Sequence, residues 1–489
     1  MRMHSNQASK PRIAGYDLIR VLACFFVIVV HFNAALCNYQ NGIFLYSNEI
    51  FPNFYFREKI YLGTLGVVLF FILSGASLTL STKQNTGAFC FYSKRILSVY
   101  PAFWIAFLTA TFVDFLYNKG MAVANPWGLL SSITCMDGYF HQLGLISSEY
   151  YKLGEWFLGC IILLYLLFPI IYAALNRAPI LTSVVCACIY GVGLLAIRYQ
   201  LPYFYNTSLL ICLPEMVLGM LYVKYDLSSR PRTSLSIGIA AFLLLCLFAD
   251  RLMSDIATLL AAVFLFCTLI AVSQWLQSQK IKDWLQRLAE LTYPLFLIHH
   301  WLIYKLIIGF DLTAMPRMYI FLLFVIYILL GLLLSVGLKK ASSIVGRFLG
   351  DSRLLMSTAM IVLVIGYACT VGMAIQQFRT KDIPATIITE SEQYCAEIVS
   401  ATIQTDTIYV VVKNTGDTEW SEEEKFRCGL LLDGVDSGVR GCLDSEQTVF
   451  NGQYATFTLP LTSDYDKNKM SVVMLKEGTA YFGNILEIN

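Results

Sequence analysis

The sequence predicts a polytopic α-helical membrane protein, with about ten plus one transmembrane helices, followed by a small all-β sandwich domain. Hydrophobic residues make up 57% of its 489 residues and charged residues only 14%, whereas a soluble globular chain carries about 25% charged residues. Long apolar runs recur as far as Gln376, and the 113 residues from Gln377 onward are polar and acidic. These observations exclude an ordinary soluble enzyme and a disordered chain.

The formal net charge of +2 is the sum of two opposed parts. Lys and Arg outnumber Asp and Glu by 26 to 15 as far as Gln376, whereas from Gln377 onward the counts are 9 and 18. A basic body with so few charges is typical of a membrane protein, in which Lys and Arg set the topology. Because nucleic-acid binding needs basic residues clustered on a soluble face, we expect no nucleic-acid partner.

Eleven apolar segments are long enough to span a hydrocarbon core of roughly 30 Å, which takes about 17–25 residues. We expect a membrane domain of ten spans over 1–340, a loop and an eleventh span over 341–379, and a β-sandwich over 380–489. The first segment is too long, and with Asp17 and Arg20 too charged, for a cleavable signal peptide. The segments lie at 16–36, 61–81, 97–117, 156–175, 179–197, 207–223, 234–250, 256–273, 291–310, 318–337 and 354–376.

The loops between these segments predict the orientation. Those on the side of the N-terminus hold 17 lysines and arginines, and those on the other side hold 7. Because positive residues remain on the cytoplasmic side, we expect a cytoplasmic N-terminus in the plasma membrane. An odd number of spans then places the C-terminal domain outside the cytoplasm.

The tail carries short strands separated by turns rich in Asn, Asp and Gly. This spacing is typical of an antiparallel β-sandwich. The stretch Val412–Gly416, followed by Trp420, resembles immunoglobulin-like accessory domains. The strands are predicted at 407–413, 425–432, 453–461 and 470–475.

The fourteen cysteines divide between body and tail. Eleven lie in the membrane body, where a cysteine is ordinarily a small buried apolar residue. Of the three in the tail, Cys428 and Cys442 are the first choice for a disulfide outside the cell, which leaves Cys395 as a thiol. No C-x-x-C or other zinc spacing occurs, so we expect no metal site.

Ionisable groups inside spans are candidate functional residues, because a charge is costly to place in a bilayer. The first span carries Asp17, Arg20 and His31. Arg20 and His31 are eleven residues apart, which places them about 20° apart around a helix and about 16 Å apart along it. Asp17 lies one turn before Arg20, close enough to pair with it. An equally good interpretation is that Arg20 and His31 snorkel to opposite interfaces.

Further ionisable groups lie in other spans. The ninth span places His299 and His300 near mid-membrane; adjacent residues point about 100° apart on a helix, so at most one of them can readily face a given site. Glu215 lies mid-span, and Asp114 and Glu155 lie near helix ends. For these three carboxylates, packing or an interface position is the more ordinary role.

The inner loop before the third span holds Lys94 and Arg95, and Tyr100 and Trp104 follow. Taken alone, the two basic residues are ordinary cytoplasmic-side charges. The two aromatic residues are, on the same basis, ordinary packing or interface residues. These four residues indicate a function only through their position among other motifs along the chain.

Five motifs in order resemble those of the acyltransferase-3 family of bacterial membrane acyltransferases, over about residues 13–340. Arg20 and His31 match the R-x10-H pattern of its first helix. The resemblance implies transfer of an acyl group, usually acetyl, from cytoplasmic acyl-CoA to a hydroxyl of a cell-surface polysaccharide or a lipid-linked saccharide. The other four motifs are Phe70–Gly75, Tyr100–Trp104, Trp156–Leu158 with Tyr165 and Pro169, and Leu291–His299.

The resemblance also implies roles for individual residues. His31 is expected to be the general base, since an imidazole titrates near neutral pH, with an acyl-histidine intermediate as the alternative. Arg20, oriented by Asp17, is expected to stabilise the oxyanion or to hold the coenzyme phosphates. Acetyl-CoA is the expected donor substrate, with no permanently bound cofactor, and membrane lipid surrounds the protein. The expected pocket residues are His299, Tyr293 and Glu215, and the expected acyl-CoA ligands are Arg95, Lys94 and Tyr100.

The sequence departs from the family pattern at two places. The basic loop of the family often reads R-x-x-R, but Ser98 occupies the second position after Arg95, so Lys94 is the candidate for the missing charge. Family members with a fused esterase-like domain usually carry acidic residues where this chain has Ile161 and Ile162. The tail has no G-D-S motif and no histidine follows His300, so we expect no second catalytic domain of the Ser-His kind.

Two other classes of function compete with an acyltransferase. A proton-coupled transporter or flippase of an envelope precursor also uses intramembrane His, Arg and Asp. It predicts broken helices at corresponding places in two halves, and no clear internal repeat is visible. In the second class, the body is an anchor and the tail is a sugar- or partner-binding module. The ordered motifs favour the acyltransferase.

Overall fold

The computed structural model divides the chain into two units, which are described separately: a membrane unit, Met1–Ala374, and a C-terminal unit, Ile375–Asn489. The residues that the structure describes are 13–37, 39–40, 43–44, 51, 54–82, 87–118, 126–146, 153, 155–199, 201, 204–307, 315–381, 394–404, 407–422, 424–432, 435–443, 447–461, 470–477 and 480–488.

The membrane unit is helical. Its helices are α1 (Ala14–Cys37), α2 (Leu62–Thr82), α3 (Ala88–Asn118), α4 (Pro126–Ile133), α5 (Asp137–Gln142), α6 (Glu155–Arg177), α7 (Pro179–Arg198), α8 (Leu209–Lys224), α9 (Pro231–Phe248), α10 (Ser254–Ser273), α11 (Gln279–Ala289), α12 (Thr292–Ile307), α13 (Arg317–Asp351) and α14 (Arg353–Lys381). Four two-residue strands accompany them: β1 (Tyr39–Gln40), β2 (Ile43–Phe44), β3 (Phe54–Tyr55) and β4 (Ile60–Tyr61).

Within the described residues, nine of these helices are long and apolar enough to cross a membrane, which confirms a polytopic membrane protein. The predicted spans at 207–223 and 291–310 correspond to α8 and α12, which have 16 residues each. At 1.5 Å per residue each is about 24 Å long, less than the roughly 30 Å of a hydrocarbon core. The helix α1 contacts α2, α10, α11 and α12, so much of its surface is packed within the bundle.

The helices α2 and α8 cross with their backbones in contact. A Cβ atom on Gly75 would lie 1.9 Å from the carbonyl oxygen of Met216, and one on Gly219 would lie 1.8 Å from that of Ile72. Small residues permit such close approach between membrane helices. The glycine of the Phe70–Gly75 motif is therefore a packing requirement. Glu215 lies one turn before Gly219 and on the same face of α8.

Two short helices, α4 and α5, are packed inside the membrane unit between α3 and α6. Ser131 and Thr134 in this segment are fully buried. The Thr370 hydroxyl on α14 lies 2.9 Å from the Ser131 hydroxyl, and the Tyr367 hydroxyl, also on α14, contacts that of Tyr100 on α3. Irregular backbone at membrane depth is tolerated where protein surrounds it, so α14 completes the surroundings of this segment.

The C-terminal unit is all β, as predicted. Its buried aromatic core contains Trp420, Phe426, Phe457 and Phe482. Two antiparallel sheets have the strand orders β11-β10-β7-β8 and β5-β6-β9. The strands are β5 (Ala396–Gln404), β6 (Thr407–Asn414), β7 (Phe426–Leu432), β8 (Val435–Gly441), β9 (Tyr454–Pro460), β10 (Met470–Lys476) and β11 (Ala480–Glu487). The four predicted strands correspond to β6, β7, β9 and β10, and the immunoglobulin-like resemblance stays a prediction.

The predicted Cys428–Cys442 disulfide is wrong, because both residues are free thiols. Cys428 on β7 is paired directly with Gly441 on β8, so these two residues share one face of the sheet. Cys442, the next residue along the chain, points to the opposite face. Cys428 is accordingly buried in the core and Cys442 is exposed.

Candidate active site

A cavity of about 200 Å³ lies in the membrane unit, toward the end of the bundle at which α1 ends and α2 begins. Apolar side chains, such as Val27 and Phe296, form part of its wall. None of its described lining residues is Lys or Arg. Its polar and aromatic lining consists of His31, Tyr61, Thr64, Phe71, Gln142, Trp156, Phe157, Asn206, Thr207, Glu215, Asp255 and Phe296.

His31 forms a hydrogen bond with His299 across α1 and α12. His31 Nδ1 and His299 Nε2 are 2.7 Å apart, and His299 Nδ1 is 2.6 Å from the carbonyl oxygen of Phe296. A carbonyl oxygen only accepts, so His299 Nδ1 carries a proton. In neutral His299, Nε2 is then the acceptor and His31 Nδ1 is the donor. This arrangement assigns the lone pair of neutral His31 to Nε2, the atom that a general base uses.

His300 also contacts His31, so one imidazole on α1 lies against both members of the adjacent pair on α12. The ring of His31 stacks on that of His300 with centroids 4.9 Å apart and on that of His299 with centroids 5.0 Å apart. The helices α1 and α12 are close enough for one imidazole to reach both rings. Within the part of the chain that the structure describes, no group of three or more His, Cys, Asp or Glu could hold a metal ion.

The expected pocket residues differ in their position. Glu215 lines the cavity and is 3% exposed. His299 is fully buried and reaches the cavity only through His31. Tyr293 is not among the lining residues, and its hydroxyl donates a 2.9 Å hydrogen bond to the carbonyl oxygen of Val99, so it joins α12 to α3.

Arg20 and Asp17 form the expected pair on α1, with 3.3 Å between Arg20 Nη1 and Asp17 Oδ1. Neither residue is among those that line the cavity. Arg20 instead interacts electrostatically with Tyr165 on α6, as does Arg95, and Tyr165 also lies beside Ser74 on α2. Two arginines of the sequence motifs therefore converge on one tyrosine, toward the end of the bundle at which α1 begins.

Arg95 and Lys94 lie within α3, which begins at Ala88, rather than in a loop as predicted. The Arg95 guanidinium carbon is 5.8 Å from the ring centroid of Phe91 and 5.9 Å from that of Tyr165. Its Nε atom is buried and has no hydrogen-bond partner among the residues that the structure describes. Lys94 is exposed. Ser98, at the second position of the basic motif, donates a 2.8 Å hydrogen bond to the Arg95 carbonyl oxygen.

Tyr100, an expected acyl-CoA ligand, is buried in the packing of α3. It is 2% exposed, and its hydroxyl donates to the carbonyl oxygen of Thr134 at 3.2 Å in addition to its contact with Tyr367. Trp104 Nε1 donates to the carbonyl oxygen of Ile133 at 3.0 Å. The Tyr100–Trp104 motif thus holds the segment between α4 and α5 against α3.

Two other carboxylates, Asp114 and Glu155, were expected to have packing or interface roles. Asp114 Oδ1 is 3.0 Å from Lys305 Nζ and accepts a 3.2 Å hydrogen bond from Trp301 Nε1, so it joins α3 to α12. The side chain of Glu155 lies outside the described residues.

Sequence reasoning missed several residues at the cavity. Asp255 lines the cavity and His300 stacks on His31, but the sequence pattern assigns a site role to neither residue. An acidic residue in the first turn of a helix ordinarily stabilises the helix N-terminus, so Asp255 carried no functional signal. The polar residues Tyr61, Gln142, Asn206 and Thr207 lie at or near helix ends, where polar side chains are ordinary.

The fold is that of a multi-pass membrane protein, and the comparisons give its family. Residues 13–339 match the profile of an acyltransferase domain, and the chain belongs to the acyltransferase-3 family. It is also similar to "Acyltransferase MdmB" of Streptomyces mycarofaciens, with 26% identity over 121 residues. That region is 24% of this chain and spans only 31% of the relative. No solved structure matches the chain significantly.

Proposed function

We propose that this chain is an O-acetyltransferase, which moves an acetyl group from cytoplasmic acetyl-CoA to a hydroxyl of a cell-surface polysaccharide or another envelope saccharide. The observation that carries the proposal is the hydrogen bond between His31 Nδ1 and His299 Nε2 at the cavity wall. It orients an imidazole as a general base beside a space where an acceptor can bind. Membership of the acyltransferase-3 family supports the reaction class.

The proposed reaction is direct transfer. His31 Nε2 takes the proton of the acceptor hydroxyl while the hydroxyl oxygen bonds to the thioester carbonyl carbon. The resulting oxyanion collapses, the carbon–sulfur bond breaks, and the departing thiolate takes the proton from His31. The products are an O-acetyl ester, the free thiol of coenzyme A and neutral His31. Throughout the reaction, His299 Nε2 accepts the hydrogen bond that His31 Nδ1 donates. It thereby stabilises the imidazolium form of His31, as the orienting member of a catalytic triad does.

The donor is proposed to reach the thioester position from the end of the bundle at which α1 begins. Arg20 and Arg95 converge on Tyr165 there, and Lys94 is exposed nearby on α3. Guanidinium groups bind phosphate oxygens well, and the unpartnered Nε of Arg95 supports such a ligand. Arg20 lies about 16 Å from His31 along α1. The extended arm of coenzyme A, which separates its phosphates from its thioester, suits this interval.

The size of the cavity supports a short acyl group. Its volume of about 200 Å³ is below the roughly 300–1,000 Å³ typical of sites for drug-sized ligands. Enclosure by apolar residues also limits hydrolysis of the thioester by water. With a cytoplasmic N-terminus, the acceptor would approach from the outer side of the membrane, toward which the cavity lies.

Thiol release from acetyl-CoA by the purified full chain in lipid nanodiscs, with and without a saccharide acceptor, tests this proposal. We expect His31→Gln to lower transfer by about 10²–10⁴-fold, the usual contribution of a general base, and Arg20→Gln to raise the KM for acetyl-CoA. His141→Gln is the matched control, since His141 is an exposed histidine of α5 outside the cavity lining. Full transfer by the His31→Gln protein, eluting as wild type in gel filtration, would overturn the assignment.

A further inference from the structure

One wall of the cavity carries polar groups that have no hydrogen-bond partner within the described residues. Glu215 is 3% exposed, lines the cavity, and forms neither a hydrogen bond nor an ion pair with a described residue. The Thr207 hydroxyl lines the same cavity and is buried without a partner. Buried polar groups are nearly always paired, because an unpaired one is costly. Their orientation toward a cavity indicates that a ligand supplies the missing partners.

One further residue belongs to the same wall. Asp255, in the first turn of α10, lines the cavity. Two helices, α8 and α10, and the segment preceding α8 therefore contribute to one polar wall. The α2–α8 crossing at Gly219 fixes the position of Glu215 one turn away.

We infer that Glu215, Asp255 and Thr207 form a subsite that binds a second polar group of the acceptor, a hydroxyl or an amine, next to the reacting hydroxyl. This inference rests on the proposed function. Two carboxyl groups accept hydrogen bonds from hydroxyls and pair with ammonium groups. No described lining residue is Lys or Arg, so an acceptor bearing a carboxylate, phosphate or sulfate finds no counter-charge there. The acceptor class is a neutral sugar or an amino sugar.

The rest of the lining fits a sugar ring of this class. Trp156 and Tyr61 supply aromatic surface for the apolar face of a pyranose, and the amide groups of Gln142 and Asn206 supply donors and acceptors for its hydroxyls. His31 lines the same cavity of about 200 Å³. One small ring can therefore contact the base and the subsite together.

Three glycosides that differ in charge test the subsite: methyl glucoside, methyl glucuronide, and a methyl 2-(dimethylamino)glucoside, whose tertiary amine cannot form a stable amide. We expect wild-type kcat/KM for the neutral and cationic glycosides to exceed that for the glucuronide at least tenfold. In the Glu215→Gln/Asp255→Asn double variant we expect the cationic-over-anionic preference to fall at least tenfold. The KM for acetyl-CoA should not change. Asp250→Asn, which alters an exposed carboxylate outside the cavity lining, should retain the wild-type preference.

Equilibrium binding of the same glycosides to His31→Ala protein tests the subsite without turnover. Charge-dependent binding that the double variant loses supports the subsite, and unchanged discrimination in the double variant overturns it. A wild-type preference for the glucuronide overturns it as well. The wild-type protein could release no thiol from acetyl-CoA with any acceptor while binding still depends on charge. That result would overturn the proposed transferase function but support the subsite. If the three glycosides bind with equal affinity and acetyl transfer is normal, the subsite is overturned and the proposed transferase function is not.

Discussion

His31 and His299 are joined by a 2.7 Å hydrogen bond although 268 residues separate them in the chain. The bond from His299 Nδ1 to the Phe296 carbonyl oxygen on the same helix fixes which nitrogen of each ring carries a proton. The backbone of α12 therefore determines the protonation pattern of a side chain on α1. This relationship requires His299 Nε2 to accept a hydrogen bond, which an aromatic ring without a nitrogen could not do.

Replacing His299 by Phe retains a ring of similar size and removes the acceptor for His31 Nδ1. We expect kcat to fall by about 10²–10⁴-fold, with the KM for acetyl-CoA unchanged, in a steady-state assay of thiol release. His300→Phe retains the stacking on His31 and should cost less than about tenfold. Equal losses in the two variants would contradict the tautomer argument.

Alanine at Gly75 or Gly219 is expected to destabilise the membrane unit, because the new methyl group meets a backbone carbonyl oxygen at under 2 Å. Overpacking of this kind costs about 1–3 kcal/mol or more, and thermal unfolding of the detergent-solubilised chain measures it. Gly191→Ala and Gly337→Ala are matched controls on α7 and α13, where nothing lies within 4 Å of the added atom. Because Ala favours a helix over Gly, the controls should be neutral or stabilising. Destabilisation of all four variants alike would rule out the crossing as the cause.

Arg95→Gln is expected to raise the KM for acetyl-CoA by about tenfold, the loss of roughly one charged hydrogen bond. Arg95→Lys should not restore it, because Lys lacks the planar group that stacks on Phe91 and Tyr165. Conversely, Ser98→Arg supplies a second charge one turn further along α3 and should lower this KM. The gain should shrink as salt is raised, since the site is exposed. If neither Arg95→Gln nor Ser98→Arg changes the KM for acetyl-CoA, α3 does not contribute to the donor site.

The C-terminal unit should lose stability in acid through Asp436. Burial alone would raise the pKa of this carboxyl, but hydrogen bonds from Arg440 and Tyr481 outweigh it, so the pKa lies below its ordinary value. The stabilisation is therefore complete above the ordinary Asp pKa and is lost as pH falls through the lowered value. Calorimetry of the full chain should find Asp436→Asn less stable by about 1–3 kcal/mol at pH 7. This gap should narrow as pH falls below the ordinary Asp pKa, and a gap independent of pH would contradict the assignment.

Cys442 provides a test of orientation, because its thiol is free and exposed. In a Cys395→Ser background, a membrane-impermeant maleimide should label intact cells, and Cys442→Ser should abolish the signal. Partial burial raises the pKa of this thiol above its ordinary value, with Arg427 opposing and Glu422 adding to the effect. Because the thiolate reacts, labelling should accelerate as pH rises through the alkaline range. Labelling only after lysis would place the C-terminal unit in the cytoplasm.

Hydropathy was sufficient to locate the long apolar helices, since length and apolar composition are local properties of a segment, but it did not locate the short helices α4, α5 and α11. It also placed Arg20 and His31 on one helix. It did not reveal that His31 bonds to His299, nor that Arg20 lies apart from the cavity. These relationships depend on which helices cross. The crossings depend on small residues such as Gly75, which do not stand out in the hydropathy pattern.

The polar lining was harder to predict for a different reason. Glu215 stood out because a carboxylate in mid-span is costly. Asp255 did not, because a carboxylate at a helix N-terminus is ordinary. The strands β5, β8 and β11 were missed because their patterns are weaker than those of the strands they pair with. The Cys428–Cys442 pair failed because proximity in sequence says nothing about which face of a sheet a side chain occupies.

The packing of α14 bears on the order in which the protein is made. Ser131 meets Thr370 across 239 residues, and Tyr100 meets Tyr367 across 267. A chain that emerges from the ribosome N-terminus first therefore has α3 and α4 in place long before their partners exist. The helix α14 thus closes a region begun by α3 and α4. Nascent chains released before Thr370 would leave the Ser131 hydroxyl without this partner at membrane depth, which gives cellular quality control a feature by which to recognise them.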